Sequence, residues 1–297
     1  MKKSGLKKLL NILPYLHLLL PMPSGFAMEE LYTTLPTSGH SEHRLELGLQ
    51  LQHIDYQESM PTVPGFKSNE AGLLPGLSLG YSWAPRNTRL FFDSQFILIS
   101  SNINYDGSKT EVGNGSYTPF TSQSRFNLGE IRVTGGYSFV KTAHTDLGLY
   151  SGLNFRNWLR ELDAIQKAPG AGANELYATL SAPIGLRWNQ RLSDRIQIGL
   201  DGSVGLPIFS VFQIYFGGNE SLSNALKTKL SWKIQAPIQY WLTPTQGISL
   251  NPFFETIAYE ETNIGRRHTQ FSGSSQIIEP ASTTLQFGTQ IKFLHRF

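Results

Sequence analysis

The sequence predicts an all-β chain that folds into a single antiparallel up-and-down β-barrel of about ten transmembrane strands. Apolar residues alternate with polar or small residues through segments that are mostly ten or more residues long. Strands of soluble sandwiches average about five to six residues, so this length favours strands that cross a bilayer. Short and long connections also alternate along the chain, as they do in a membrane barrel.

The first two strands show the alternation most clearly. Leucines at positions 45, 47, 49 and 51 are separated by polar or small residues, and Leu77, Leu79, Tyr81 and Trp83 follow the same pattern. Eight or twelve strands remain alternatives, because two of the connections are long enough to contain a hairpin. The other candidates, in chain order, are Leu90–Ser100, Phe126–Phe139, Leu147–Trp158, Leu176–Trp188, Ile196–Phe209, Leu226–Leu242, Ile248–Tyr259 and Thr283–Phe297.

The connections predict two different ends of the barrel. Aromatic residues precede the short connections, which indicates an interfacial girdle at that end. The short connections are Ala84–Arg89, Val140–Asp146, Asn189–Arg195 and Thr243–Gly247. The long connections are Tyr56–Leu73, Ser101–Arg125, Leu159–Glu175, Ser210–Ala225 and Glu261–Ser282.

The N-terminus has the pattern of a cleaved secretory signal. Four lysines precede the apolar stretch Leu9–Leu20, and Gly25 and Ala27 are the small residues expected around a cleavage point. We therefore expect a signal peptide at 1–27, a short N-terminal segment at 28–43 and the barrel at 44–297. Removing the four signal lysines takes the net charge from +3 to −1, so bulk charge gives no indication of nucleic-acid binding. The chain has no cysteine, which excludes a disulfide framework and a lipid anchor on cysteine.

The last predicted strand, Thr283–Phe297, ends on an aromatic residue at the C-terminus. It resembles the terminal strand of bacterial outer-membrane β-barrels, in which the assembly machinery reads the last strand and its final aromatic residue. The resemblance implies an outer-membrane location, with outer-membrane lipid, lipopolysaccharide and the assembly machinery as partners. An even number of strands would also place both termini, and with them the segment 28–43, on the periplasmic side. Phe293 and Phe297 are the predicted assembly signal.

The phase opposite the leucines predicts a charged lumen. A ten-stranded barrel is only modestly wider than one that side chains fill, so we expect these residues to form a salt-bridged network that plugs it. The alternative is a narrow path for ions or solutes. The predicted lumen residues are Glu46, Asp93, Glu130, Arg132, Arg156, Arg187, Asp201, Lys227, Lys229, Lys233, Glu255, Lys292 and Arg296.

Ten strands is also the size of the omptin family of outer-membrane proteases. In that family a pair of aspartates faces an Asp–His pair at the extracellular rim, and together they activate water. This chain has no D-x-D and no D-x-H sequence, so no catalytic residue is carried over. The nearest candidates are His53 and Asp55 at the outer end of the first strand and His268 in the last long connection. They would form a site only if the fold brought them within hydrogen-bond distance.

Other site types have little support in the sequence. No cofactor is predicted, and the nearest pattern to a metal site is His40 and His43 beside Glu42, which a disordered tether explains as well. Aromatic residues at Phe209–Phe216 predict either an extended hairpin or a surface for an extracellular partner. The leading interpretation is a non-enzymatic surface or envelope protein with long outer loops. The alternatives are an outer-membrane enzyme, either a protease or a lipid-A modifier, and a small channel.

Overall fold

The computed structural model of the protein describes residues 43–60, 66, 68–85, 88–110, 117–162, 173–216, 221–269 and 273–297. Among these residues no helix is long and apolar enough to cross a membrane. The predicted signal peptide, the segment 28–42 and the pattern of His40 and Glu42 lie outside the described residues. The strands are β1 (His43–Ser59), β2 (Ser68–Trp83), β3 (Leu90–Thr110), β4 (Tyr117–Lys141), β5 (Thr145–Leu162), β6 (Ala173–Arg191), β7 (Ile196–Phe216), β8 (Ser221–Ala225), β9 (Ser231–Gln235), β10 (Ile238–Trp241), β11 (Gln246–Tyr259), β12 (Thr262–Thr269), β13 (Gly273–Glu279) and β14 (Ala281–Arg296).

The strands close into an antiparallel barrel with ten wall positions. Each strand from β1 to β7 pairs with the next, and β1 also pairs with β14. The eighth wall position consists of three pieces, β8, β9 and β10, which all pair with β7. β11 pairs with β9 and β10 on one side and with β14 on the other. The prediction of a closed ten-stranded up-and-down barrel is therefore confirmed.

Several strands run far beyond the length that a bilayer requires. β4 has 25 residues and β7 has 21, whereas a transmembrane strand needs about 9–11. The predicted loops Ser101–Arg125 and Ser210–Ala225 are wrong, because strands continue through most of both. The last predicted loop contains the hairpin β12–β13, which is a separate two-stranded sheet. We call the end of the barrel with His43 and Phe297 the terminal end, and the opposite end the distal end.

A belt of exposed apolar side chains surrounds the part of the barrel near the terminal end. Leu47 and Leu49 on β1 expose 63% and 64% of their surface. The register places Leu49 between Leu77 on β2 and Ile291 on β14, which are also more than half exposed. A contiguous apolar surface of this kind is unfavourable in water and suits contact with hydrocarbon.

The two faces of the wall exchange their polarity at the distal edge of the belt. On β1 the outward leucines end at Leu51, whereas Ile54 and Tyr56 point inward and are fully buried. The pairing of β1 with both neighbours continues across this point without a shift. The same strand thus has an apolar outer face within the belt and an apolar inner face beyond it. The inward residues form a core of Ile54, Tyr56, Leu74, Ile97, Ile99, Ile103, Phe126, Leu128, Trp158, Tyr177, Phe212, Ile214, Leu226, Ile257 and Tyr259.

Candidate functional site in the barrel lumen

An ion-pair network crosses the lumen at the level of the belt. Arg156 on β5 donates from Nε to Glu130 on β4 over 2.9 Å and from Nη2 to Glu255 on β11 over 2.8 Å. The Nζ of Lys233 on β9 lies 3.7 Å from the other oxygen of Glu255. β5 and β11 are the fifth and ninth wall strands, so these contacts join nearly opposite sides of the barrel. All four side chains are buried.

Two further charged groups lie on the same inner face. Arg187 donates to Asp93 over 2.7 Å. Arg132 donates to the hydroxyl of Tyr150 over 3.0 Å, and that hydroxyl donates to Asp201 over 2.6 Å. The cations and carboxylates are therefore matched locally, as buried charges require.

Near the terminal end, Glu46 accepts from Lys292 over 2.9 Å and lies 2.8 Å from Arg44. Arg296 does not join an ion pair among the described residues, and its guanidinium lies over the ring of Trp241 at 3.2 Å. Cations in this position are stabilised by the face of the indole.

Amide side chains fill the space between the charged groups. Gln290 donates to Gln50, and Gln50 donates to Gln52, each over 2.5 Å. Gln95 on β3 donates to Gln290 over 3.2 Å, and Asn251 on β11 does so over 3.4 Å. Sequence reasoning selected only charged residues and missed this set. The sequence does contain a feature that indicates these amides. They occupy the same alternating, inward-facing positions as Glu46 and Lys292.

A second charged group, the distal acidic cluster, surrounds Arg160 beyond the belt. Arg160 is 1% exposed and contacts three carboxylates, Glu58, Glu70 and Glu175, each at 2.7 Å. A fourth, Glu279, accepts from the hydroxyl of Tyr177 over 2.6 Å. We use the name for these residues together, which are Glu58, Glu70, Arg160, Glu175, Tyr177 and Glu279.

Burial dominates the electrostatics of the distal acidic cluster. Loss of hydration raises the pKa of Glu175 to about 7, and it raises the pKa of Glu70 above its ordinary value. Desolvation and the charges of Glu175 and Glu58 hold the pKa of Glu279 well above its ordinary value. Arg160 opposes these effects, but one guanidinium faces four carboxyl groups. The four carboxyl groups therefore share the single positive charge of Arg160.

A small polar cavity lies beside the Arg156 network. A polar cavity of about 20 Å³ is lined by residues that include Glu130, Arg132, Lys233 and Glu255, which is room for about one water molecule. In the described part of the chain, no group of three His, Asp or Glu side chains could hold a metal ion.

The architecture is similar to known membrane barrels. The outer membrane protease OmpT from Escherichia coli matches with a TM-score of 0.61 and 9% sequence identity, over 89% of this chain and 100% of that chain. The fold is that of a bacterial outer-membrane β-barrel. Neisserial surface protein A and the Pseudomonas putida toluene transporter TodX match with TM-scores of 0.31 and 0.33, at 11% and 10% identity. These two matches cover 88% and 86% of this chain and 100% and 90% of the other chains.

The comparisons show the fold and no activity. No protein-family model matches the sequence, and no curated protein matches it. The fold and the apolar belt together are those of a β-barrel that spans a lipid bilayer.

The candidate rim residues lie in two different sheets. His53 and Asp55 alternate with the buried residues Ile54 and Tyr56 and so lie on the outer face of β1. The ring of His53 stacks on Phe287 at 5.0 Å. His268 lies opposite Ser274, which is thirteen positions before Phe287 in the chain, whereas His53 lies opposite Phe287 itself. A site built from these three residues is therefore not supported.

Lys227 and Lys229 do not take the predicted place in the lumen. Leu226 is buried in the interior core, and Thr228 donates to the inward hydroxyl of Ser210, so the lysines between and after them point outward and are exposed. The eighth wall position is interrupted between β8 and β9, and this break inverts the alternation before Lys233. The prediction counted alternate residues through this break as if the strand were continuous, and so it assigned Lys227 and Lys229 to the lumen face instead of the outer face.

The distal acidic cluster was also missed in the sequence. Glu58, Glu70, Arg160 and Glu175 fell within or beside segments that were predicted to be loops. The available signal was their inward phase, since Glu58 and Arg160 continue the alternation of Ile54 and Trp158.

Proposed function

We propose that this protein is a non-enzymatic outer-membrane scaffold with a closed lumen, whose distal strands present a surface outside the membrane. The observation that carries the proposal is the contact of Arg156 with Glu255 at 2.8 Å. Because these residues come from nearly opposite wall strands, their contact spans the lumen across the barrel axis, which supports a closed lumen.

The interior core adds a second obstruction. Trp158 lies between Phe126 at 5.0 Å and Tyr177 at 4.8 Å, measured between ring centroids. All three rings are at least 95% buried. An ion would have to lose its hydration among these rings, which strongly disfavours a conducting pathway.

Conductance in a planar lipid bilayer tests the closed lumen. We expect no discrete current steps from the folded wild-type protein. The matched control is the double variant Arg156→Ala with Trp158→Ala, which removes the main side chain from each obstruction and should leak if it folds. Heat-modifiable migration on a gel verifies folding of both proteins. Current steps from the wild type comparable with those of a hollow porin would contradict the proposal and favour the channel.

The enzyme alternative is tested by the same purified protein. We expect no hydrolysis of peptides and no change in lipid A, because His53 and Asp55 face outward on β1 whereas His268 belongs to the separate sheet β12–β13. Hydrolysis that is lost in His53→Ala, but not in the exposed control His144→Ala, would restore the rim hypothesis.

Lipid and lipopolysaccharide remain the proposed partners of the outer wall. Lys227 and Lys229 are exposed on the outside of the eighth wall position, next to the exposed apolar residue Leu230. Ammonium groups beside an apolar surface suit the phosphates of an amphiphile. Replacement of both lysines by Gln should weaken retention of lipopolysaccharide during purification, whereas Lys141→Gln at the terminal end should not. We also propose the assembly machinery as a partner of the last strand, and an extracellular partner for the distal strands.

A further inference from the structure

The hydroxyl of Tyr177 lies between two buried carboxyl groups. It is 2.6 Å from Glu279 Oε1 and 3.3 Å from Glu175 Oε2. A phenol has one hydrogen to donate, so it cannot donate to both oxygens at once. If both carboxyl groups were ionised, one acceptor oxygen would face the phenol oxygen with no hydrogen between them. A proton on one carboxyl group satisfies both contacts, because Tyr177 can then donate to one group and accept from the other.

Among the described residues, Tyr177 is the one hydrogen-bond donor to the Glu279 carboxyl group. The hydroxyl of Tyr56 lies 3.5 Å from that of Tyr177, but it donates to Glu58 over 2.6 Å. Arg160 donates over 2.7 Å to Glu175 Oε2, the same oxygen that faces the phenol, but it makes no described contact with Glu279. Among the described residues, the other charged or titratable groups that act on the pair are Glu58 on β1, Glu70 on β2, Tyr105 on β3 and Tyr259 on β11.

An unpartnered atom also points to a shortage of protons in the cluster. Glu70 is fully buried, and its Oε2 has no hydrogen-bond partner in the described structure. An ionised carboxylate oxygen in this position would be costly. The cluster therefore combines an excess of carboxyl groups with too few donors.

The position of Glu279 connects this chemistry to the hairpin β12–β13. Glu279 is the last residue of β13, and Pro280 separates it from β14. The bond from Tyr177 therefore ties the hairpin β12–β13 to β6 on another part of the wall. A second tie is the bond from Asn224 to the carbonyl of Asn263 on β12, over 2.6 Å.

We propose that Glu175 and Glu279 bind one proton jointly across Tyr177, and that its loss releases the hairpin β12–β13 from the distal mouth of the lumen. The direction of the pH dependence follows from the raised pKa of Glu175 and Glu279. Groups whose pKa is higher in the folded state stabilise it at low pH, and this contribution is lost as the pH rises through the folded value. Since the pKa of Glu175 is about 7, we expect release above neutral pH.

A thiol introduced beside Pro280 reports the release. The chain has no native cysteine, and Ser282 is 4% exposed with a hydroxyl that has no hydrogen-bond partner in the described structure. Ser282→Cys therefore places a buried thiol two residues from Pro280 with little disturbance. Thr283→Cys is the matched control, because the side chain at this neighbouring position is exposed and corrects for the pH dependence of thiol reactivity.

The rate of maleimide labelling is measured from about pH 6 to about pH 9. Above the pKa of the carboxyl pair, the fraction of molecules that carry the shared proton falls by about tenfold per pH unit. The ratio of the labelling rate of Ser282→Cys to that of Thr283→Cys should rise roughly tenfold or more over that range, as each unit of pH beyond the pKa weakens the closed state. In a Glu279→Gln background the ratio should stay low, because the amide keeps a hydrogen for Tyr177 at every pH. Glu260→Gln, which changes an exposed carboxylate next to the hairpin, should leave the rise unchanged.

Infrared spectroscopy of the wild type measures the proton directly and needs no variant. A protonated carboxyl band should be present near pH 6 and disappear by about pH 9, over the interval in which such a group titrates. A flat labelling ratio, an equal rise in Glu279→Gln, or an infrared spectrum without a protonated carboxyl band would each overturn the proposal.

Discussion

Arg160 on β5 donates to Glu70 on β2 over 2.7 Å, although two other strands separate them in the wall. The contact therefore runs across the interior and not along the sheet. Arg160 also binds Glu58 on β1 across the interior and Glu175 at the directly paired position on β6, so one guanidinium joins three wall strands to its own beyond the belt. This arrangement makes the distal part of the barrel depend on a single cation.

Replacement of Arg160 by Ala should lower the free energy of unfolding by about 3–5 kcal/mol, because it leaves buried carboxylates without their counter-ion. Urea unfolding of the protein in detergent micelles measures the change. Arg125→Ala is the matched control, since Arg125 is 60% exposed and lies 3.4 Å from Glu161; exposed pairs contribute about 0–1 kcal/mol. Equal losses in the two variants would contradict the central position of Arg160.

The position of the belt predicts how much an arginine introduced on the outer face of β1 lowers the stability of the protein. Leu49→Arg should cost about 2–4 kcal/mol, the scale for a cation near the middle of a bilayer. Gln57→Arg lies on the same face of the same strand, beyond the belt and next to Asp55, and should change stability little. Reversible unfolding in lipid vesicles gives both values. If Gln57→Arg costs as much as Leu49→Arg, the distal edge of the belt is misplaced.

The sequence predicted the wall within the belt because lipid and lumen impose opposite demands there. Leucines at positions 45–51 alternate with polar residues, and the same pattern marks the ten strands and their short turns. The final strand, with its terminal Phe297, pairs with β1 as an up-and-down barrel requires. These features depend on local alternation, which can be read from the sequence.

The distal part of the barrel could not be predicted from the sequence, because there the polar and apolar faces of the strands are exchanged. Beyond Leu51 the outer face meets water and the inner face fills a core, so Ile54 and Tyr56 follow the opposite phase. A change of phase within a strand looks like the end of the strand, and the remaining residues were assigned to loops. Glu58 and Glu70 come from strands distant in sequence from Arg160, and the alternation that turns them inward does not identify Arg160 as their partner.

The last residue should be important for closing the barrel. Phe297 donates its backbone N–H to the carbonyl of His43 over 3.2 Å, and the two rings stack at 5.5 Å. Deletion of Phe297 removes both contacts and the expected recognition signal, so we predict less folded protein in the outer membrane. Phe139→Ala is the control, because Phe139 is an exposed aromatic residue at the same end. Heat-modifiable migration of membrane fractions measures the folded share, and normal insertion of the truncated chain would refute the prediction.

The core beyond the belt should behave like the core of a water-soluble protein. Trp158 is 5% exposed and contacts Tyr56, Phe126 and Tyr177 with ring centroids 4.8–5.1 Å apart. Trp158→Ala should therefore cost about 3–5 kcal/mol, through lost burial and the cavity that remains. Trp158→Phe should cost less, because the indole Nε1 has no hydrogen-bond partner in the described structure. The control is Trp83→Ala at the terminal end, where the ring is 37% exposed. Urea unfolding measures all three, and a cost for Trp158→Ala no larger than that for Trp83→Ala would mean that the distal core does not hold the barrel together.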